Sequence, residues 1–310
     1  MNILITGIHG FVGSNLVAGL KSQHTIYGLD IISPQKQGVV KTYNWNELEK
    51  LPKVDVIIHL AGKAHDTKNQ SKAQTYFDIN LGLTTIIYDF FLQSAATKFI
   101  FFSSVKAAAD LVVGDILTED VVPTPKGPYG ESKIAAENYI LGKRPTDPMK
   151  FVYILRPCMI HGPGNKGNLN LLYSVVSRGV PWPLGAYNNR RSYTSVDNLC
   201  FVIEGLIDKY VNTGVYNIGD DEALSTNELI QVIGECTGKP QHIWKLNRKL
   251  MEKVSALGTI LHLPLNTERL QKLTENYVVS NKKIKLVLGV DKMPVSAREG
   301  LIKTINSFKE

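Results

Sequence analysis

The chain has 310 residues, 44% of them hydrophobic, and a formal net charge of +7 from 35 Lys and Arg against 28 Asp and Glu. That length suits one α/β domain with a smaller appendage, and no apolar run is long enough to cross a bilayer, so no membrane partner is expected. The cations are scattered, with Asn247-Arg248-Lys249 and Lys282-Lys283-Ile284-Lys285 the densest stretches, which argues against nucleic acid and suits a diphosphate-bearing substrate. Cys158, Cys200 and Cys236 are odd in number and far apart. They suggest neither a disulfide framework nor a metal site, and point to a reducing cytoplasm. An apolar run already begins at residue 2, which leaves no room for a secretory leader.

That run, Asn2-Ile3-Leu4-Ile5-Thr6, reads as a strand and leads through Gly7-Ile8-His9-Gly10-Phe11-Val12-Gly13 into a stretch of helical periodicity. Strand, glycine turn and helix in succession are the context a dinucleotide cradle needs. Gly7, Gly10 and Gly13 allow a tight turn and a close approach to a pyrophosphate, and the free amides of the helix start, at Phe11 and Val12, face its charge. The second apolar run ends at Asp30, 17 residues beyond Gly13, where a carboxylate can accept both ribose hydroxyls of adenosine. It would also repel a 2′-phosphate, and the nearest following cation is Lys36 with no Arg close behind, so NAD is favoured over NADP. The plainer account of Asp30 is a strand-end turn cap.

Strands are predicted at 2–6, 24–30, 54–60, 98–103, 151–156 and 214–218, with helices near 11–21, 71–95, 129–142 and 197–209. This alternation predicts an α/β fold with a doubly wound parallel sheet, whose ligands sit beyond the carboxyl ends of the strands. Between Asp30 and Val54 the crossover is compact, and Trp45-Asn46-Glu47-Leu48 is its only helical hint. After Arg156-Pro157 come loops rich in Gly, Pro and Asn, at 161–168 and 180–185, suited to wrapping a ligand. From about Leu224 the chain is helix-rich and Lys-rich, as in a small lid.

Tyr129 and Lys133 lie four apart at the start of a helix introduced by Gly127-Pro128, so they share a face. An adjacent ammonium, the helix N-terminus and an oxidised nicotinamide ring would each favour the phenolate, making Tyr129 a general base. Ser104 follows the strand Lys98-Phe99-Ile100-Phe101-Phe102-Ser103, 25 residues upstream of Tyr129, where its hydroxyl can hold the reacting oxygen. Alone, Tyr-x-x-x-Lys would be a surface helix pair. With Ser104 and the cradle it reads as a catalytic site.

In order and spacing, Thr6-Gly7-x-x-Gly10-Phe11-x-Gly13, Asp55-x-x-x-His59-Leu60-Ala61-Gly62, Ser103-Ser104, Tyr129-Gly130-x-Ser132-Lys133 and Arg156-Pro157-x-x-x-His161-Gly162-Pro163-Gly164 resemble the extended short-chain dehydrogenase/reductases, in their nucleotide-sugar epimerase/dehydratase branch. The resemblance is strong over about the first 200 residues. It implies a seven-stranded NAD-binding Rossmann domain, here 1–157 with 191–222, and a small, mostly helical substrate-binding domain, 158–190 with 223–310. It also implies a homodimer formed through a helix bundle. By position it places Leu60, Ala61, Gly62 and Lys63 along the cofactor, Asn80 behind the site, and Pro157 and Ile160 beside the nicotinamide. Asn168 and Arg191 match residues that grip a substrate diphosphate, Arg269 is a further candidate for that role, and Tyr277 is a candidate to face the pocket.

Departures from the family pattern narrow the reaction. Sugar dehydratases of this branch carry an Asp-Glu pair after the catalytic hydroxyl residue, where this chain has Val105-Lys106, so dehydration is set aside. His161 stands where Tyr is commoner, and reads as structural; Ala107-Ala108-Ala109 replaces the usual Val-Tyr-Gly. The leading expectation is a 4-epimerase of a UDP-hexose, of the glucose/galactose or the N-acetylhexosamine type. Tyr129 would take the 4-hydroxyl proton, Ser104 would steady the oxygen, and Lys133 would tune Tyr129 and hold the nicotinamide ribose. A nucleotide-sugar 4-keto reductase using NAD(P)H and a non-catalytic dinucleotide sensor are the alternatives.

Overall fold

The structure, a computed structural model, describes residues 1–64, 72–165, 167–261, 263 and 265–309. Its strands are β1 (Asn2–Thr6), β2 (Thr25–Leu29), β3 (Lys41–Tyr43), β4 (Val56–His59), β5 (Lys98–Phe102), β6 (Phe151–Pro157), β7 (Met159–His161), β8 (Tyr193–Ser195) and β9 (Gly214–Ile218). Seven of them form one parallel sheet in the order β3-β2-β1-β4-β5-β6-β9, and β7 pairs with β8 in a separate parallel ribbon. The helices are α1 (Phe11–Leu20), α2 (Ala73–Gln93), α3 (Val105–Ala108), α4 (Pro128–Gly142), α5 (Asn168–Ser177), α6 (Val196–Asp208), α7 (Thr226–Thr237), α8 (Arg248–Ile260), α9 (Thr267–Thr274), α10 (Lys282–Leu288) and α11 (Ala297–Asn306), with a 3₁₀ turn at Trp45–Lys50. The fold is a Rossmann-type doubly wound α/β sheet.

The strands are continuous apolar runs because helices cover both faces of the sheet. Alternate residues serve opposite layers. Ile3, Ile5, Ile58 and Ile100 join Leu16, Leu20, Val202 and Leu206 of α1 and α6 on one side. Leu4, Ile57, Phe99 and Phe101 join Ile87, Phe91, Ala136 and Ile140 of α2 and α4 on the other. Ile284 and Leu288 of α10 also pack into the first layer. α10 thus lies against the sheet, within the stretch 223–310 that the sequence assigned as a whole to the substrate-binding part. A third cluster, with Leu169, Tyr193, Leu229, Ile233 and Leu301, joins α5, β8, α7 and α11.

The predicted strands of the main sheet match to within two residues at either end. The helix expected at 71–95 is α2 over Ala73–Gln93, and residue 71 lies outside the described residues. Missed were β3, whose Tyr27–Leu29 partners extend the sheet by three residues, and the short elements β7, β8, α3 and α5. Each is short or opens in the Gly/Asn-rich stretch, where periodicity carries little signal.

Polar order is set where β1 and β4 end side by side, Thr6 opposite His59. The Ala61 amide donates to Thr6 Oγ1 at 3.0 Å, Thr6 Oγ1 lies 2.7 Å from His59 Nδ1, His59 Nε2 lies 3.0 Å from Thr84 Oγ1, and Thr84 donates to the Asn80 carbonyl at 2.5 Å. Thr84 spends its proton on Asn80, so His59 donates from Nε2 and accepts from Thr6 at Nδ1; the ring is neutral. Burial, helped by the nearby Lys133 cation, pushes His59 down to about 3.

The unfolded chain therefore takes up a proton on His59 that the folded chain refuses, so stability is lost as pH falls from 6.5 toward about 3. Urea unfolding at successive pH values across that window should show a steeper loss for the wild type than for His59→Gln. Parallel curves for the two proteins would contradict this.

Candidate functional site

The cradle stands at the carboxyl end of β1. Gly7 has φ of +67°, and a Cβ there would lie 2.9 Å from the Ala61 amide nitrogen; a Cβ on Gly13 would lie 2.6 Å from the Gly7 carbonyl oxygen. Neither position accepts a side chain without the turn shifting. α1 starts at Gly10 with no side-chain cap and no acid in its first turn. The amides of Phe11, Val12 and Gly13, which lack intrahelical partners by position, therefore present a helix N-terminus to an anion. Asp30 follows β2 and is buried, its two oxygens accepting from the His9 and Ile31 amides at 3.0 and 2.8 Å. One lone pair on each oxygen remains for a vicinal diol. Lys36 Nζ donates to Ser14 Oγ of α1 at 2.8 Å. These residues fit a dinucleotide.

Leu60, Ala61, Gly62 and Lys63 form the loop after β4. Asn80, fully buried in α2, clamps it by accepting from the Lys63 amide at 2.7 Å and donating to the Lys63 carbonyl at 3.2 Å and to Ser132 Oγ at 2.9 Å. Ser132 passes its own proton to the Tyr129 carbonyl at 2.9 Å. The clamp on the loop and the start of α4 are thus one network. Pro157 ends β6 and Ile160 sits in β7, while the following turn is pinned to α1 by Asn15 Nδ2 donating to the Pro163 carbonyl at 3.0 Å.

The structure brings Ser104 and Tyr129 together and places Lys133 one turn along α4 from Tyr129. The Ser104 hydroxyl hydrogen-bonds the Tyr129 phenol and also accepts from the Lys106 amide at 3.2 Å, capping α3. Tyr76 of α2 meets Tyr129 edge to face at 6.5 Å, and Lys63 Nζ lies 5.5 Å from the Tyr76 ring centre. Lys133 is buried, donates to the Phe102 carbonyl at 2.9 Å, and lies beside Gly62, where a Cβ would stand 3.2 Å from its Nζ. Burial draws Lys133 down to about 8 against the opposing pull of Glu137. Burial also raises Tyr129 above an ordinary phenol, partly offset by the Ser104 bond. The sequence expectation of a favoured phenolate rested on the Lys133 ammonium, the helix N-terminus and an oxidised nicotinamide ring together; in the protein alone, burial holds Tyr129 as the phenol.

Glu137, one turn beyond Lys133 on α4, was not singled out by sequence. It is fully buried against Arg156, whose Nε and Nη2 reach its carboxylate at 3.0 and 2.6 Å, and it accepts a short hydrogen bond from Ser103. The signal was present as Tyr129, Lys133 and Glu137 at intervals of four. Lys106 was noted only as a departure. Its Nζ holds Asp110 Oδ1 at 3.1 Å and lies 4.6 Å over the Tyr277 ring, while the Tyr277 hydroxyl donates to the Ala109 carbonyl at 2.6 Å. Tyr277 is buried under α3, so its hydroxyl serves the backbone of that helix.

The expected diphosphate residues are more dispersed. Arg191 is half-buried just before β8, donating to the Lys272 carbonyl at 2.6 Å and lying 3.6 Å from Glu275. Burial raises Glu275, while Arg191 and Lys106 pull it down, so both cations face the same carboxylate. Asn168 is exposed at the first position of α5, and Arg269 is exposed on α9. His161 is buried, its ring nitrogens 2.9 Å from Thr304 Oγ1 and 3.5 Å from Asp220, which matches a structural histidine.

A glycine cradle, a buried carboxylate after β2 and Ser104, Tyr129 and Lys133 on one edge of a parallel sheet define the short-chain dehydrogenase/reductase class. Within it, the chain belongs to the NAD dependent epimerase/dehydratase family, whose model matches residues 3–219. It is 31% identical to a UDP-glucose 4-epimerase of Vibrio cholerae over 99% of this chain and 95% of that one. To a GDP-6-deoxy-D-mannose reductase of Pseudomonas aeruginosa it is 25% identical, over 75% and 79%. The structure of MoeE5 in complex with UDP-glucuronic acid and NAD superposes with a TM-score of 0.78 at 22% identity, covering 100% of this chain and 99% of that one. NAD is the cofactor of the family, and the cradle described above fits it.

Removing either half of the Glu137–Arg156 pair leaves a buried charge alone. Glu137→Gln and Arg156→Met should each cost about 3–5 kcal/mol in denaturant unfolding, and Glu137→Leu with Arg156→Met together far less than the sum. Additive losses would show that the pair is not coupled.

Proposed function

We propose that the chain is an NAD-dependent 4-epimerase of a UDP-hexose, working through a transient 4-keto sugar. The observation that carries this reading is the Ser104–Tyr129 hydrogen bond, with Lys133 one turn along α4 and with Val105-Lys106 where a dehydrating enzyme needs an acid and a base. The Vibrio cholerae relative supports it.

When bound, NAD supplies the acceptor and then the donor of the hydride at the sugar carbon. Tyr129 removes the 4-hydroxyl proton and later returns it. Ser104, fixed at the N-terminus of α3, holds the same oxygen through both transfers. Lys133, positively charged below about 8, offsets the charge that forms on the Tyr129 oxygen, which burial alone would oppose. Asn80 and Ser132 hold the loop after β4 and the first turn of α4 in register, so neither half of the site moves as the proton crosses. Arg191 and Lys106 supply the positive field for the diphosphate, with Asn168 and Arg269 as further contacts. Residues 158–190 with 223–310, apart from α10 on the sheet, carry the sugar, and a cytoplasmic homodimer completes the proposal.

A second reading, reduction of a 4-keto nucleotide sugar, is favoured by the Pseudomonas aeruginosa relative and needs the same three residues. The two part on electron balance. Epimerisation consumes no reduced cofactor, whereas reduction oxidises one NAD(P)H per sugar.

Purified protein given UDP-galactose or UDP-N-acetylgalactosamine should form the gluco epimer without net cofactor turnover, read by NMR of the product. Tyr129→Phe should lower kcat by about 10²–10⁴-fold with little change in KM. No inversion, together with oxidation of NADH or NADPH by a 4-keto-6-deoxy nucleotide sugar, would replace the epimerase with the reductase.

A further inference from the structure

α8 is an amphipathic helix with its larger apolar face turned outward. Toward the protein it presents Met251, Ser255 and Gly258, the last so close to the Leu265 carbonyl that no Cβ fits there. Leu250, Val254, Leu257 and Leu261 recur at intervals of four, three and four, and fall within an arc of about 60° on the outer side. All four are between 44 and 56% exposed; Ile260, the last residue of the helix, at 73% and Leu263, beyond it, at 48% widen the patch. Trp244, just ahead of the helix, is also exposed. Scattered exposed aliphatics are ordinary on protein surfaces, but a contiguous stripe of them marks a contact.

Charge decides which contact. From Lys239 to Ile260 the chain carries five cations and one acid, and Lys249 and Lys253 border the stripe along one flank. A second copy joined by a two-fold axis with the helices antiparallel would lay this patch on itself and bring lysine flank against lysine flank. An anionic lipid surface meets both features. Aliphatic side chains reach the acyl boundary, the Trp lies at headgroup level, and lysines extend to the phosphates. We propose that α8, with Trp244 and Leu263, docks the protein on an anionic membrane surface, the helix lying in the interface plane. No helix of the described residues is long and apolar enough to cross a membrane, so the contact is peripheral.

The docking helix is wired to the substrate side. Arg248 donates through Nε and Nη2 to the Ala186 carbonyl at 3.0 and 2.7 Å, holding the 180–191 strap that ends at Arg191. At the other end, Thr259 Oγ1 meets Thr267 Oγ1 of α9 at 3.0 Å, and α9 runs on to the Lys272 carbonyl that anchors Arg191. Membrane contact thus orients the part of the chain bearing the proposed diphosphate site. The inference goes beyond the proposed reaction and holds for epimerase and reductase alike.

Co-sedimentation of the full chain with vesicles tests it, using phosphatidylcholine alone or mixed with phosphatidylglycerol. The wild type should partition to the anionic vesicles at least about tenfold more than to the neutral ones, and less at high salt. Leu250→Gln with Val254→Gln and Leu257→Gln should abolish binding, and Lys249→Gln with Lys253→Gln should lose the preference for anionic lipid. Both variants should keep the wild-type thermal midpoint and turnover of a water-dissolved UDP-hexose. No binding by the wild type, or equal binding by the triple variant, overturns the proposal. So does a mass by light scattering that halves in the triple variant when no protein sediments, which would assign the stripe to a second copy of the chain.

Discussion

The site hangs on one line of hydrogen bonds with a fixed proton order, from the Ala61 amide through Thr6, His59 and Thr84 to the Asn80 carbonyl. Each net bond contributes about 1 kcal/mol, but leaving one buried partner unmet costs about 1–3 kcal/mol, so the chain forms whole or not at all. A charged imidazole would place a second donor against Thr6 and force it to turn away from its role. The low pKa of His59 is therefore a condition of the architecture as much as a consequence of burial. Through Asn80 the same line continues to Lys63, Ser132 and the backbone at Tyr129, so the cofactor loop and the catalytic helix share one origin.

A second buried network stands one turn farther along α4. Ser103, Glu137 and Arg156 connect β5, α4 and β6 immediately below Ser104 and Pro157. An apolar triad of similar volume would serve stability as well. What the ion pair adds is direction: the carboxylate holds Ser103, which fixes the backbone from which Ser104 projects, and its charge favours the cationic form of Lys133. Burial pushes Lys133 and Tyr129 toward neutrality from opposite sides, one down and one up. Glu137 and Ser104 each oppose that push on one of the two. At neutral pH the protein alone thus holds a cationic lysine and a phenol.

The sheet was legible because parallel strands covered on both faces are unbroken apolar runs, and the cradle because glycines at 7, 10 and 13 are required by close backbone approaches at Gly7 and Gly13. Ser104, Tyr129 and Lys133 were legible because each sits next to a strand end or helix start that the pattern marks. Less visible were groups whose partners are remote in sequence. His59 meets Thr6 and Thr84 at separations of 53 and 25 residues, and Arg156 meets Glu137 across 19, so no local period announces them. The burial that raises Tyr129 was hidden for a related reason: its neighbours in sequence are a cation and a helix end, whereas its desolvation comes from the enclosing fold.

Epimerase and reductase chemistry place the same demands on Ser104, Tyr129 and Lys133, so selection between them belongs to whatever positions the sugar. In this chain that is the part with the smaller core: Leu184, Met251 and Leu270 form the cluster beneath α8 and α9, against 24 buried residues in the layer containing α1 and α6. Arg191 bridges the two levels of rigidity. Its amide pairs with Leu224 beside β8, while its guanidinium is held by the Lys272 carbonyl and Glu275 at the end of α9. A diphosphate at Arg191 would compete with Glu275 for the same fork of donors, and Lys106, which faces that carboxylate too, stands two residues from the catalytic serine. Release of Glu275 from one cation strengthens its hold on the other. In the proposed reaction, anion binding at Arg191 would thereby be linked to the charge next to Ser104, a route by which substrate identity would reach the reacting oxygen without altering the three residues proposed to handle the proton.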